Sequence, residues 1–215
     1  MRIVDSLSRR LWRENRDLAR ACLEHPFVRR LGDGSLPTAA FARYVAQDAF
    51  FLEAFFRAYA LAAARSAGRP DTVVVFHRLM GGVLDELAMH SDTVTELGID
   101  RGNVDPLPAT AAYVELLMTT ARNRGLGETI AVMTPCMRLY AFLGTTLAAR
   151  RFDQHPYRRW IDAYSGRDMG ELAERLDGLL DELAEDVPEV HQIYRRAMEC
   201  ELAFFDAAYD EGGEV

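Results

Sequence analysis

From Leu7 onward, apolar side chains recur every three or four residues, and no stretch shows the two-residue alternation of a half-buried strand. A chain patterned this way buries its apolar surface as packed helices, so the expectation is an all-α bundle. The first helix should run from about Asp5 to Leu23, with Leu7, Leu11, Leu18 and Cys22 on one face. His25-Pro26 should end it, because proline disfavours helical geometry in the residue before it. Gly32-Asp33-Gly34-Ser35 reads as a turn, and Pro37 suits the first position of a second helix, which Gly68 closes. Asp71 caps a third helix that continues to Leu97 and stops at Gly98, before a polar loop from Ile99 to Pro108. Helices over Ala109–Arg124 and Glu128–Arg150 follow. After the break at His155-Pro156 come Tyr157–Tyr164, Asp168–Leu183 and Glu189–Tyr209, with a frayed end at Gly212-Gly213. There is no internal repeat and no linker, so residues 1–215 read as one helical domain.

Charge narrows the function. The net charge is -8, and no basic run exceeds two consecutive arginines. That opposes binding to nucleic acid or to an anionic membrane surface, both of which need clustered positive charge. All 25 basic residues are arginine. Without lysine, Schiff-base chemistry and a phosphate-binding P-loop are excluded. The longest strongly apolar run, Tyr59 to Ala64, is too short to span a bilayer, and the charged N-terminus does not read as a signal peptide. Three cysteines without metal-ligand spacing suit free thiols in a reducing cytoplasm.

The informative residues are polar groups placed where periodicity demands apolar ones. Asp48 lies in the stripe Phe41, Tyr44, Val45, Phe51, Leu52, Phe55, and Glu201 shares a face with Ile193, Ala197, Phe204, Phe205 and Ala208. A buried carboxylate must be paired or hydrogen-bonded, so each is either a structural anchor or part of a site. Two of them among aromatics, on different helices, point to a pocket for a small planar ligand. Cys136 joins them. Pro135 before it should kink the helix toward the bundle interior, and Tyr140 lies one turn later, whereas Cys22 and Cys200 read as packing. Glu86 and His90 have the i, i+4 spacing of two metal ligands, but no other histidine offers a matching partner pair, so they read as a surface or supporting pair and no metal is expected. Tyr113, Trp160 and Tyr164, taken alone, fit the core.

In order along the chain, His25-Pro26-Phe27-Val28, Gly32-Asp33-Gly34-Ser35-Leu36, Tyr44-Val45-Ala46-Gln47-Asp48 and Asp85-Glu86-Leu87-Ala88-Met89-His90 are similar to motifs of the TenA (thiaminase II) family. So are Thr134-Pro135-Cys136-Met137-Arg138-Leu139-Tyr140, His155-Pro156-Tyr157, Trp160-Ile161-Asp162-Ala163-Tyr164 and Glu201-Leu202-Ala203-Phe204-Phe205-Asp206. The resemblance implies a haem-oxygenase-like bundle without haem or other cofactor, assembled as a homotetramer. It implies hydrolysis of 4-amino-5-aminomethyl-2-methylpyrimidine to the hydroxymethyl compound in thiamin salvage, with thiamin as a further substrate.

By motif position, Cys136 would be the nucleophile that adds to the pyrimidine, Glu201 would bind the ring edge and handle protons, and Asp48 would hydrogen-bond the ring or its amino group. Tyr140 and Tyr164 would orient the site, Tyr113 and Phe51 would border the ring, and Phe204 would close the apolar wall. Two departures stand out: Phe51 replaces a common tyrosine, and Met137-Arg138 replaces Pro-Trp. A metal-dependent oxidase using Glu86 and His90, and a non-catalytic pyrimidine-binding or regulatory protein, remain as alternative readings.

Overall fold

A computed structural model describes residues 6–96, 104–150 and 156–209. The expected start at Asp5, the stop at Gly98, the first half of the Ile99–Pro108 loop, His155 and the end at Gly212-Gly213 lie outside the described residues. Among those described there are ten helices and no strand: α1 (Leu7–Glu14), α2 (Arg16–Glu24), α3 (Pro26–Asp33), α4 (Thr38–Arg65), α5 (Pro70–Glu96), α6 (Pro108–Asn123), α7 (Leu126–Ala149), α8 (Arg158–Ser165), α9 (Arg167–Leu183) and α10 (Pro188–Tyr209).

The long helices follow their apolar stripes. On α4, Phe41, Tyr44, Val45, Phe51, Leu52, Phe55 and Tyr59 are all buried, and each large side chain contributes about 1.5–3 kcal/mol of burial free energy. Against α4 pack α5, α6, α7 and α10, while α7 is covered by α8, α9 and α10. α7 is long and apolar enough to cross a membrane by length and composition, unlike the short Tyr59–Ala64 run. In this fold, however, 61% of its most apolar window is buried inside the protein, as in a central core helix.

The N-terminal region differs from expectation in two places. The first predicted helix is two helices, broken at the buried Asn15 (φ −109°, ψ 19°), whose Nδ2 donates to the Leu11 carbonyl at 2.8 Å. A short amide side chain that bonds nearby backbone offers the chain an alternative to continuing the helix. The stretch from Pro26 to Asp33, to which no helix was assigned ahead of the Gly32–Ser35 turn, is also helical. Pro26 occupies its first turn, and the His25 ring caps it by accepting the Phe27 N–H at 3.1 Å. Phe27, Val28 and Leu31 bury its inner face, and Gly34 ends it at φ 81°, a left-handed position that glycine takes without strain.

Candidate active site

The polar residues that broke the apolar stripes converge where α4, α5, α7, α8 and α10 meet. A partly open cavity of about 80 Å³ is lined by Asp48 and Phe51 from α4, Glu86 from α5, Cys136 and Tyr140 from α7, and Tyr164 from α8. Met169 and Leu172 of α9 cover its outer side. Helix α8 comes close enough to serve the site because of Gly144: a Cβ there would lie 2.4 Å from the Tyr164 carbonyl carbon. With glycine, Tyr164 packs on Tyr140 at a ring separation of 5.0 Å. α7 runs through Pro135 as one helix and presents Cys136 and Tyr140 one turn apart.

Glu201 stands behind the cavity wall, 1% exposed, and accepts a hydrogen bond from the Tyr113 hydroxyl at 2.7 Å. The Cys136 thiol lies close enough to feel its charge. Burial pushes the Glu201 carboxyl up to about 8, with Tyr113 partly opposing the rise. Burial, reinforced by the neighbouring Glu201 carboxylate, raises the Cys136 thiol well above its ordinary value. At neutral pH this is therefore a thiol beside a carboxyl group and not a standing thiolate.

At the other end of the cavity, Asp48 is hydrogen-bonded to His90 Nε2 at 2.8 Å, and both side chains are almost fully buried. Glu86 lies 3.8 Å from the same nitrogen and accepts a hydrogen bond from the Tyr164 hydroxyl. Burial raises the Asp48 carboxyl, and the His90 hydrogen bond offsets part of that rise. Burial opposes a proton on His90, but Asp48 and Glu86 outweigh it and the imidazole is raised. The ligand atoms of Asp48, Glu86 and His90 all lie within 4.8 Å of one another, close enough to converge on one cation.

Of the eight residues singled out from sequence, Asp48, Phe51, Cys136, Tyr140 and Tyr164 line the cavity. Glu201, Tyr113 and Phe204 form the layer behind, where Phe51 meets Tyr113 at 4.5 Å and Phe204 at 5.9 Å between ring centroids. Of the reading of Glu86 and His90 as a surface or supporting pair, the surface half needs correction. His90 is buried, and the partner it lacked in sequence is Asp48, on another helix. Sequence reasoning also passed over Tyr44, whose hydroxyl accepts from Trp160 Nε1 at 3.3 Å, and Gln47, which ties the start of α6 to α4 through Leu107 N and Thr110 Oγ1. Met169 and Leu172 gave no signal at all. The unusual Met137-Arg138 pair splits its roles. Met137 lines the cavity, while Arg138 turns away to Asp177 at 2.6 Å and lies over the Trp12 ring at 4.9 Å.

Residues 12–211 match the profile of the TENA/THI-4/PQQC family. The chain is 34% identical over 209 residues to the bifunctional TH2 protein, mitochondrial, of Arabidopsis thaliana, covering 85% of this chain and 34% of that protein. The chain thus spans about a third of that relative's length. It is 29% identical over 217 residues to the aminopyrimidine aminohydrolase of Halalkalibacterium halodurans, with 96% of both chains covered. Among solved structures, a TenA homologue from P. horikoshii superposes with a TM-score of 0.87 at 25% identity, covering 96% of this chain and 100% of that one. A domain from Shewanella denitrificans described as having a heme oxygenase-like fold shares the architecture, with a TM-score of 0.74 at 16% identity, 94% of this chain and 91% of that one being covered.

Proposed function

The chain belongs to the TENA/THI-4/PQQC family, and we propose that it is an aminopyrimidine aminohydrolase. It hydrolyses an aminomethylpyrimidine to the hydroxymethyl compound and ammonia, in thiamin salvage. The observation that carries this reading is Cys136 on the wall of a partly open aromatic cavity, beside the buried Glu201 carboxyl group that Tyr113 holds in place.

Because the thiol is protonated at rest, its proton must leave as sulfur attacks, and Glu201 accepts it in its ionised form, whose share grows as pH rises toward 8. Addition of Sγ to the pyrimidine ring pushes electrons toward the exocyclic methylene, which expels the amine, and Glu201 returns a proton to the departing nitrogen. Water then adds to the methylene carbon and the sulfur leaves the ring. Asp48 accepts a hydrogen bond from the ring or its amino group. Phe51 borders the ring, with Tyr113 and Phe204 backing that wall, and Tyr140 and Tyr164 orient the site. A homotetramer in the cytoplasm completes the reading, and light scattering on the purified chain tests the assembly.

The convergence of Asp48, Glu86 and His90 favours a second reading, a metal-dependent oxidase. Product analysis on a panel of aminomethylpyrimidines, which release ammonia, and on thiamin, which releases its thiazole, separates the two. Stoichiometric ammonia and hydroxymethyl product without oxygen uptake is the hydrolase result. Oxygen-dependent turnover that tracks bound iron or manganese is the oxidase result.

A further inference from the structure

Two hollows in this protein share a wall. The cavity that holds Cys136, about 80 Å³, and an outer groove of about 440 Å³ along α5, α8 and α9 are both lined by Gly82, Glu86, Tyr164, Met169 and Leu172. These residues are the partition between them, and the flexible side chains of Met169 and Leu172 are its movable part. Volume decides what must cross it. A buried apolar cavity of about 150 Å³ is what holds benzene, and a substituted aminopyrimidine is larger than benzene. Cys136 lines the inner cavity and not the groove. A ring placed for attack by Sγ therefore fills the inner cavity, and whatever its methylene carries has to pass the partition.

Gly82 is the residue of this partition that packing does not ask for. A Cβ on Gly144 would lie 2.4 Å from the Tyr164 carbonyl carbon, and one on Gly127 would lie 2.6 Å from the Leu183 carbonyl oxygen, so those two glycines are required by close approach. A Cβ on Gly82 would meet Leu172 Cδ1 at 3.9 Å, an ordinary contact. Gly82 also lies in the interior of α5, where alanine would favour the helix. What the glycine keeps open is space beside Leu172, between cavity and groove. Its neighbour Gly81 has open space around it as well, but lines neither hollow.

We propose that the outer groove is the subsite for the group that leaves the methylene carbon, and that Gly82, Met169 and Leu172 set the size of leaving group this chain accepts. This rests on the function proposed above. The substrate class is a pyrimidine whose methylene carries a ring-sized substituent, thiamin included. With thiamin the bond broken is the exocyclic C–N bond. The thiazole nitrogen keeps the electron pair and departs in a neutral ring, while water supplies the hydroxyl and releases one proton. An amino group is small enough to end at the partition, so the aminomethyl substrate depends on these residues less. The groove's rim carries charges of both signs, Arg78 and Arg175 with Asp85, Asp168 and Glu171, so no single-sign field picks the occupant and size does.

The test is the ratio of kcat/KM for thiamin, read by thiazole release, to kcat/KM for aminomethylpyrimidine, read by ammonia release. It is measured at equal folded concentration for the native chain, Gly82→Ala, Gly82→Leu, Leu172→Ala and Gly81→Ala. The ratio should fall in Gly82→Ala and fall further, by about tenfold or more, in Gly82→Leu, because added methylenes in a pocket discriminate on that scale. Leu172→Ala widens the passage and should raise the ratio. Gly81→Ala adds the same helix preference away from the partition and should leave the ratio as it is. Equal shifts in Gly81→Ala and Gly82→Ala would trace the effect to a stiffer helix and overturn the proposal. A ratio that stays fixed in both Gly82→Ala and Leu172→Ala overturns it too, and neither of these substitutions needs new room in the fold. A native chain inert toward both substrates defeats the hydrolase reading itself, whereas one that takes aminomethylpyrimidine and not thiamin defeats only the subsite.

Discussion

Two histidines in this protein each face a pair of carboxyl groups, and burial separates their consequences. His191, near the start of α10, lies 2.8 Å from Glu14 through Nδ1 and 2.8 Å from Asp186 through Nε2. Its acidic partners are about half exposed, so water and salt can replace what the contact supplies. His90 makes a bond of the same length to Asp48 with both side chains sealed from solvent. Nothing replaces that partner. Breaking a buried pair by removing one member typically costs about 3–5 kcal/mol. The same chemistry is therefore dispensable at the rim and demanding in the interior, and the demanding copy borders the cavity that holds Cys136.

The contrast is sharpened most by Glu201. Glu201→Gln keeps the volume but cannot carry the proton from Cys136 to the leaving amine, so kcat should fall about 10²-fold, the usual scale of general acid-base catalysis, with KM moving less. The same variant reports on stability. The folded Glu201 pKa of about 8 lies above the ordinary 4.5, so the native state binds the extra proton between those values. Stability should therefore decline as pH rises through that window, and Glu201→Gln should remove its share of the decline. Melting curves from pH 5 to 9 read this directly. Equal pH slopes in both proteins would mean that Glu201 ionises without difficulty.

A smaller effect is expected at Phe51, between Tyr113 and Phe55. Phe51→Tyr adds a hydroxyl to an apolar wall and should change the ratio of kcat/KM for aminomethylpyrimidine over thiamin by about tenfold or less, without abolishing either activity. Side-by-side kinetics on the two substrates would show it. Chelation by EDTA should leave ammonia release unchanged, and metal-dependent recovery after dialysis would make the Asp48–Glu86–His90 cluster a cation site.

His191→Gln should have the smallest effect. Burial opposes a proton on His191, but Asp186 and Glu14 outweigh it and raise the pKa. Its stabilising share is full below the ordinary histidine value and fades as pH rises through the folded one. Because the pair is screened, neither kcat nor melting temperature should change measurably. A large loss of stability would break the comparison with His90.

The helical architecture was legible because burial along α4 and α10 follows one face per turn, and Asp48 and Glu201 were visible as interruptions of those faces. Of the two readings left open for His90, surface or supporting, the surface one failed for a physical reason. Its spacing to Glu86 is local and can be read from sequence, but its stronger partner lies 42 residues away on another helix. Helix α3 was missed because it has little more than two turns, too few for periodicity to stand out beside its proline and glycines. The covering residues Met169 and Leu172 look like any amphipathic stripe until α9 packs beside the cavity.

The central claim is that Cys136 attacks the substrate ring, and the most direct measurement is ammonia release from aminomethylpyrimidine by the native chain and by Cys136→Ala at equal folded concentration. The native chain should release ammonia in step with hydroxymethylpyrimidine. Cys136→Ala should release none above the uncatalysed rate while keeping its helical circular dichroism and melting transition. Substantial turnover by Cys136→Ala would contradict the account.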